Sequence, residues 1–401
     1  IRQSLVGSEM CIRDRINDWQ NGGFGIYLHW PFCESKCPYC DFNSHVAQEI
    51  DQEAWLQAYL KCLDRAAIKT SPRLLNTVFF GGGTPSLMSP KLVSEIMTRI
   101  KSLWTVSNDL EVTLEANPSS FEANRFKEYY DAGINRLSVG VQALNDEDLK
   151  RLGRLHSVNE AINAVEISNS IFNYTSLDLI YARQDQTIDD WSSELKRALE
   201  LDTSHLSLYQ LTIEDGTPFG NLSKKGKLKG LPVDDQAANL YEVTQDICNK
   251  FNLPAYEISN HSKPGSESRH NLVYWRYGDY LGVGPGAHGR ITIDGKKLAT
   301  IGKHDPREWL SAVKNSRNYE TIAPISSIDQ AKEYLVMGLR ISEGISLSRV
   351  KEICDHKIDE NNIGYLTDLG LVTVNDDRLS VNSSGRIILN QIINKLSDTF
   401  Y

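Results

Sequence analysis

The feature that most restricts the fold is an alternation. Between residue 25 and about residue 213, short β-rich runs take turns with amphipathic helical stretches. The strand-like runs are 25–30 (GIYLHW), 77–80 (TVFF), 110–115 (LEVTLE), 136–141 (RLSVGV), 176–181 (SLDLIY) and 205–211 (HLSLYQL). Between them, residues 52–68, 90–103, 122–131, 158–170 and 189–200 carry apolar side chains at helical spacing. Asp51, Ser89 and Asp189 stand where N-caps are expected. A strand followed by a helix and another strand implies parallel pairing through right-handed crossovers. Six such units are too few to close an eight-stranded barrel, so the pattern predicts an α/β fold built on an open, barrel-like (β/α)6 sheet. Ligands of such sheets sit at the carboxyl ends of the strands.

The remainder divides by composition. Residues 214–232 (EDGTPFGNLSKKGKLKGLP) are rich in Gly and Lys and read as a mobile loop or linker. Beyond about 320, helical stretches are followed by strand-like 371–374, a turn at 375–377, strand-like 379–381 and a last helix over 385–396. That order predicts a smaller, winged-helix-like α+β domain. The expected organisation is a segment 1–24 that is non-native or disordered, a core 25–232, an extension 233–319 and a C-terminal domain 320–401. Residues 1–15 lack the apolar stretch of a secretory signal. No apolar run is long enough for a membrane span. Lys+Arg 43 against Asp+Glu 52 leaves a net charge of −9, which argues against nucleic acid as the main partner. The last helix adds only Arg386 and Lys395.

Seven cysteines in 401 residues exclude a disulfide framework and suit a reducing cytoplasm. Cys11, Cys62, Cys248 and Cys354 are scattered, whereas Cys33, Cys37 and Cys40 are spaced C-x3-C-x2-C directly after the first strand. Three thiolates in one loop can hold three irons of a [4Fe–4S] cube and leave the fourth iron open. The alternative is a structural zinc site, which needs a fourth ligand. His29, Asp41 and His45 are the nearby candidates, in a poor arrangement.

The stretch Cys33-Glu34-Ser35-Lys36-Cys37-Pro38-Tyr39-Cys40 resembles the cluster loop of the radical S-adenosylmethionine (SAM) superfamily, with the aromatic Tyr39 before the third cysteine. The resemblance implies that SAM chelates the open iron through its amine and carboxylate, and that one electron cleaves its sulfonium to a 5′-deoxyadenosyl radical. Gly82-Gly83-Thr84-Pro85, after the second strand, matches the superfamily's turn for the methionyl amine. Glu115 matches the carboxylate on the ribose hydroxyls, and Tyr27 a SAM-contacting tyrosine. Gln142, Arg154 and Asp178 match SAM-contacting positions of oxygen-independent coproporphyrinogen dehydrogenases. Asp178, inside the apolar run SLDLIY, needs a partner or ligand wherever it is buried, and an Asp–Arg structural pair would serve as well.

GGGTP, GVQ and LDLIY together resemble those dehydrogenases and their relatives, the haem chaperones of the HemW type, over roughly residues 24–395. The dehydrogenases carry a further cysteine two residues after the third, where this chain has Phe42, and a longer N-terminal extension. Both departures favour the chaperones. So does His270-Asn271-Leu272-Val273-Tyr274-Trp275, which matches their H-N-x-x-Y-W motif and implies haem contact through His270, Asn271, Tyr274 and Trp275. A hydrogen-bonded structural histidine is the alternative for His270. For His288, after the Gly-rich 282–287, the roles are lining the SAM pocket or holding backbone. The expected function is haem binding and delivery to an acceptor protein, with a [4Fe–4S] cluster, SAM and haem as bound groups. The rival activities are coproporphyrinogen oxidation and radical-SAM chemistry on another substrate. The C-terminal domain would cover the barrel mouth or dock a partner, with room for transient membrane contact.

Overall fold

The computed structural model describes residues 18–398; the expectations for residues 1–15 lie outside them. In chain order the strands are β1 (Phe24–Trp30), β2 (Phe32–Cys33), β3 (His45–Val46), β4 (Leu74–Gly82), β5 (Thr105–Ala116), β6 (Arg136–Gln142), β7 (Tyr174–Tyr181) and β8 (His205–Gln210). They continue with β9 (Asn260–Ser262), β10 (Asp279–Val283), β11 (His288–Ile293), β12 (Lys296–Gly302), β13 (Glu320–Pro324), β14 (Ile345–Ser346), β15 (Val372–Asn375) and β16 (Arg378–Val381). The six expected strands are β1 and β4 to β8, adjacent and parallel. Phe24, Ile26, Leu28 and Trp30 of β1 are buried, as are Leu177 and Leu179 of β7. A parallel sheet covered on both faces demands such apolar runs.

The sheet is wider than the alternation predicts. β10 adds a parallel strand beside β1, and β11, β12 and β13 extend that side antiparallel, while β9 lies antiparallel on β8. The result is one sheet of eleven strands, and much of the expected extension 233–319 is part of it.

Local chemistry sets the helices. Asp51 accepts from the Ala54 N–H at the start of Gln52–Thr70, and Ser89 accepts from Leu92 ahead of Pro90–Leu103. At Ile188–Leu199 the cap is Thr187 and not Asp189: Thr187 and Asp190 form a reciprocal capping box, and Asp189 sits in the first turn, where the helix dipole favours a carboxylate. The expected helix over 122–131 is divided into Ser120–Ala123 and Phe126–Asp131. The expected loop 214–232 contains a helix, Pro218–Lys224, because Thr217 caps it and Pro218 opens it.

Towards the C-terminus, β14, β16 and β15 form a separate three-stranded sheet with helices Ser327–Gly338, Leu347–Cys354, Glu360–Asp368 and Leu389–Ser397. Leu335, Ile345, Val350, Leu379, Ile392 and Leu396 belong to a core of their own. This is the helix-and-hairpin order expected of a winged-helix-like unit, except that the last helix is interrupted after Arg386.

Candidate functional site

The cysteine loop springs from the carboxyl end of β1 and is closed by the pairing of Phe32–Cys33 with His45–Val46. Its base is tied to the turn after β4 by main-chain bonds: Gly83 N–H donates to the Trp30 carbonyl at 2.7 Å and Thr84 N–H to the Phe32 carbonyl at 2.8 Å. Two glycines make that approach feasible. Gly82 has a φ of 116°, which glycine adopts without strain, and a Cβ on Gly83 would lie 2.6 Å from the Phe32 carbonyl oxygen and 3.0 Å from Cys33 Sγ. The sequence suggested that these glycines open backbone to a ligand; here they also let two loops pack together.

Cys33, Cys37 and Cys40 line one cavity of about 590 Å³, with Tyr39, Gly82, Gly83, Thr84, Pro85, Glu115, Gln142, Arg154 and Asp178 around it. These residues come from the ends of β1, β4, β5, β6 and β7 and the loops that follow, the carboxyl side of the sheet. Among the described residues no three His, Cys, Asp or Glu side chains converge as ligands of one metal ion. Three thiolates in one cavity are the number a cluster with one open iron needs, whereas a closed zinc site needs a fourth ligand. Burial pushes the Cys33 and Cys40 thiols up, a direction that a bound cation reverses.

Polar groups in the cavity keep unused capacity. Arg154 donates to Cys37 Sγ at 3.5 Å, Asn117 Oδ1 at 2.6 Å and the Gly140 carbonyl at 3.0 Å, yet its buried Nε has no protein partner. Glu115 Oε2 accepts from Gly82 N–H at 3.1 Å. Burial first, and the neighbouring Asp178 second, push its carboxyl up to about 8. Asp178 is not paired with Arg154: it accepts from the Ser138 hydroxyl at 2.8 Å and from Ser176 at 3.0 Å, while burial raises it. Gln142 ends β6 with a φ of 70°, next to a register shift in the β6–β7 pairing. An irregular strand end of this kind re-aims a side chain.

Tyr27 stands apart from the other expected SAM positions. Its hydroxyl lies 2.9 Å from His29 Nδ1, its ring stacks on Phe79, and it lines a smaller chamber of about 230 Å³ deeper in the barrel. Glu115, Ser138, Asp178 and Tyr209 border both spaces. His270, Asn271 and Tyr274 line the deeper chamber from the other side. They belong to the helix Arg269–Trp275, near the amino ends of β1 and β4, at the opposite end of the strands from the thiols.

His270 is only 1% exposed. Its Nδ1 lies 2.8 Å from Thr77 Oγ1, its Nε2 lies 2.6 Å from the Tyr274 hydroxyl, and Phe79 stacks on the ring. Burial pushes it down to about 3, so the imidazole is neutral. Both nitrogens are engaged, and iron ligation by this histidine would require one of those bonds to break. Trp275 faces another groove, with Arg276, Arg349 and Arg378. The structure therefore does not gather the motif's four residues around one open surface. His288 is exposed at the start of β11 and is not among the cavity residues.

Sequence reasoning missed Asn117, Ser138, Tyr209, Leu211 and Glu214 in the cavity wall. Except for Ser138, which lies within β6, their shared signal is position at or just beyond the carboxyl end of a strand.

Comparison with known proteins places this geometry. The Radical SAM superfamily model matches residues 27–198 and the HemN C-terminal domain model residues 325–388. The heme chaperone HemW of Escherichia coli (strain K12) is 35% identical over 382 residues, covering 92% of this chain and 96% of its own. That of Bacillus subtilis (strain 168) is 34% identical, covering 91% and 97%. The mitochondrial radical S-adenosyl methionine domain-containing protein 1 of Bos taurus is 37% identical, covering 80% and 74%. Among solved structures, the coproporphyrinogen III oxidase HemN of Escherichia coli superposes with a TM-score of 0.80 at 21% identity, covering 97% and 93%, a likeness of fold alone. With full-length relatives above 30% identity and thiols, glycine turn and carboxylates gathered in one cavity, the chain belongs to the HemW haem chaperone family of the radical SAM superfamily.

Proposed function

We propose that this protein is a haem chaperone that holds a [4Fe–4S] cluster on Cys33, Cys37 and Cys40, binds SAM beside it and delivers haem to an acceptor protein in the cytoplasm. The observation that carries the reading is the single cavity joining the three thiols to Gly82–Pro85, Glu115, Gln142, Arg154 and Asp178, in a chain that parallels curated heme chaperones over nine-tenths of its length. A cluster bound there supplies an electron and an open iron position to SAM. The protein's part is positional. The turn at Gly82–Pro85 offers main-chain groups to the methionyl amine, Glu115 and Asp178 accept the ribose hydroxyls, and the free Nε of Arg154 is a donor for an anionic group. Tyr39 lines the cavity beside Cys37 and Arg154, and Tyr27 supports the cavity from the chamber below.

His270 is, in this reading, a positioning residue: with Thr77 and Tyr274 it fixes the floor of the barrel. No helix among the described residues is long and apolar enough to cross a membrane. Coproporphyrinogen oxidation is the lesser reading, because the full-length relatives are named as chaperones and Phe42 replaces the dehydrogenases' further cysteine. The test is a titration of cluster-reconstituted protein with haemin. A Soret shift saturating at a fixed ratio of haem to chain is expected, and its absence overturns the proposal.

A further inference from the structure

The deeper chamber of about 230 Å³ is a space of its own: none of the three thiols, Gly82–Pro85, Gln142 or Arg154 lines it. The sheet builds it by alternation. Thr113 on β5, Arg136 and Ser138 on β6, Ser176 on β7, and His205 and Ser207 on β8 line the chamber. The residues between and beside them, Val112, Leu114, Leu137, Leu177 and Leu206, are buried in the apolar core. The inside of a parallel barrel is ordinarily filled by branched apolar side chains. Here it is polar and hollow. Glu115 and Asp178 stand at the end shared with the thiol cavity, and Ser268, His270 and Asn271 line the other end.

Most of these polar groups are paired within the protein. Ser138 donates to Asp178 at 2.8 Å, Ser176 Oγ lies 2.8 Å from His205 Nδ1, and His205 Nε2 lies 2.9 Å from the Tyr256 hydroxyl. Two groups are left over. Thr113 Oγ1 and Arg136 Nη2 have no protein partner, although the two residues are only 1% and 2% exposed. Thr113 and Arg136 are also register partners in the β5–β6 pairing, so both leftover groups arise at one level of the wall. Arg136 Nη1 donates to the Ser266 carbonyl at 3.1 Å and lies 3.6 Å from Glu111 Oε2. The Glu111 carboxylate also holds the Arg269 and His270 N–H groups at the start of their helix, so it offsets the guanidinium only in part. A buried cationic donor without an acceptor is costly. Beside open volume, it marks a place for a ligand.

We propose that the chamber binds a small monocarboxylic acid as its anion, with the carboxylate on Arg136 Nη2 and Thr113 Oγ1 and the remainder between Phe79 and the Glu115–Asp178 end. The charges select the class. One guanidinium, offset in part by Glu111, balances a single negative charge, which disfavours a phosphate dianion. Burial holds the Glu115 and Asp178 carboxyls towards their neutral forms, so they repel such an anion little. A planar carboxylate matches the edge of a guanidinium. The volume sets the size: it is that of roughly eight water molecules, so the ligand has about eight non-hydrogen atoms or fewer and a haem macrocycle is excluded. The site therefore takes a different molecule from the cargo of the proposed function and stands independently of it.

Propanoate and its neutral isostere propanamide are the probes. In calorimetric titrations of wild type, propanoate should saturate at one per chain and bind roughly tenfold or more tightly than the amide, the scale of a charge-assisted hydrogen bond. Arg136→Gln should bind the two alike, but it breaks a buried ion pair and can fail to fold. Thr113→Val avoids that weakness. Its methyl replaces an unpartnered buried hydroxyl, so without ligand it should melt no lower than wild type. It should nevertheless gain less melting temperature from added propanoate, a difference that a purely structural threonine does not produce. Absence of saturable propanoate binding, equal affinity for acid and amide, or an equal propanoate-induced rise for wild type and Thr113→Val each overturns the site. So does a crystal grown in propanoate that holds only water on Arg136 Nη2. Haemin is read separately: a missing Soret shift beside saturable propanoate binding sinks the haem-chaperone reading and leaves this site standing.

Discussion

Two regions of this barrel were marked by short motifs of the same kind, and they are built in opposite ways. At the carboxyl ends of the strands, the thiol cavity is roomy and its polar groups are under-used: Arg154 Nε is unpartnered, and Glu115 is crowded by Asp178. At the other end of the strands, the His270 helix faces a smaller chamber, and both imidazole nitrogens are satisfied by protein. Residue types alone do not separate a ligand site from a structural node. Spare hydrogen-bonding capacity next to open volume does.

The largest expected effect breaks the comparison at its open side. Cys37→Ser should abolish the cluster, read as loss of iron and of the visible absorbance after anaerobic reconstitution. Cys248→Ser, at a buried thiol outside the cavity, should keep both. A Cys37→Ser protein that retains full iron would make the two regions equivalent and undo the site assignment. Next in size, His270→Ala should lower stability by about 2–4 kcal/mol, for a lost buried ring and two orphaned hydroxyls. Denaturant melts should show this while the haemin stoichiometry of the folded fraction stays that of wild type. Loss of haemin binding with unchanged stability would move the iron ligand to the barrel floor.

A further effect is a slope in pH. Glu115 is held up at about 8 against the ordinary 4.5, so the folded form keeps a proton that the unfolded chain releases. Its contribution to stability is full below the unfolded value and is lost as pH rises through the folded one. Wild type should therefore lose melting temperature relative to Glu115→Gln between about pH 5 and pH 8, and parallel curves would show that the carboxyl is not so crowded.

The parallel strands were legible because each is an apolar run closed by a helix of clear period, and the expected SAM-pocket residues other than Tyr27 and His288 lie in one place because strand ends converge. Strands β9 to β13 were not legible. They are short or lie on one edge, and β10 and β11 flank the Gly-rich 282–289, which reads as loop. The helix Pro218–Lys224 did leave a trace, Thr217 before Pro218, that the surrounding Gly and Lys obscured. Asp178 was correctly expected to need partners, but three neighbouring serines on β6, β7 and β8 supply them, and only strand register reveals that. For His270, the sequence left open whether the ring is ligand or structure. Burial and two short contacts decide what its nitrogens do in this conformation.

The two main-chain bonds that join the turn at Gly83 and Thr84 to the root of the cysteine loop have a mechanical consequence. They make the thiol loop and the glycine turn one rigid jig, so the gap between whatever each of them carries is set by peptide geometry and not by rotating side chains. A reaction or transfer that depends steeply on that gap is thereby insulated from side-chain motion, and a single methyl group at Gly83 would put the jig out of true.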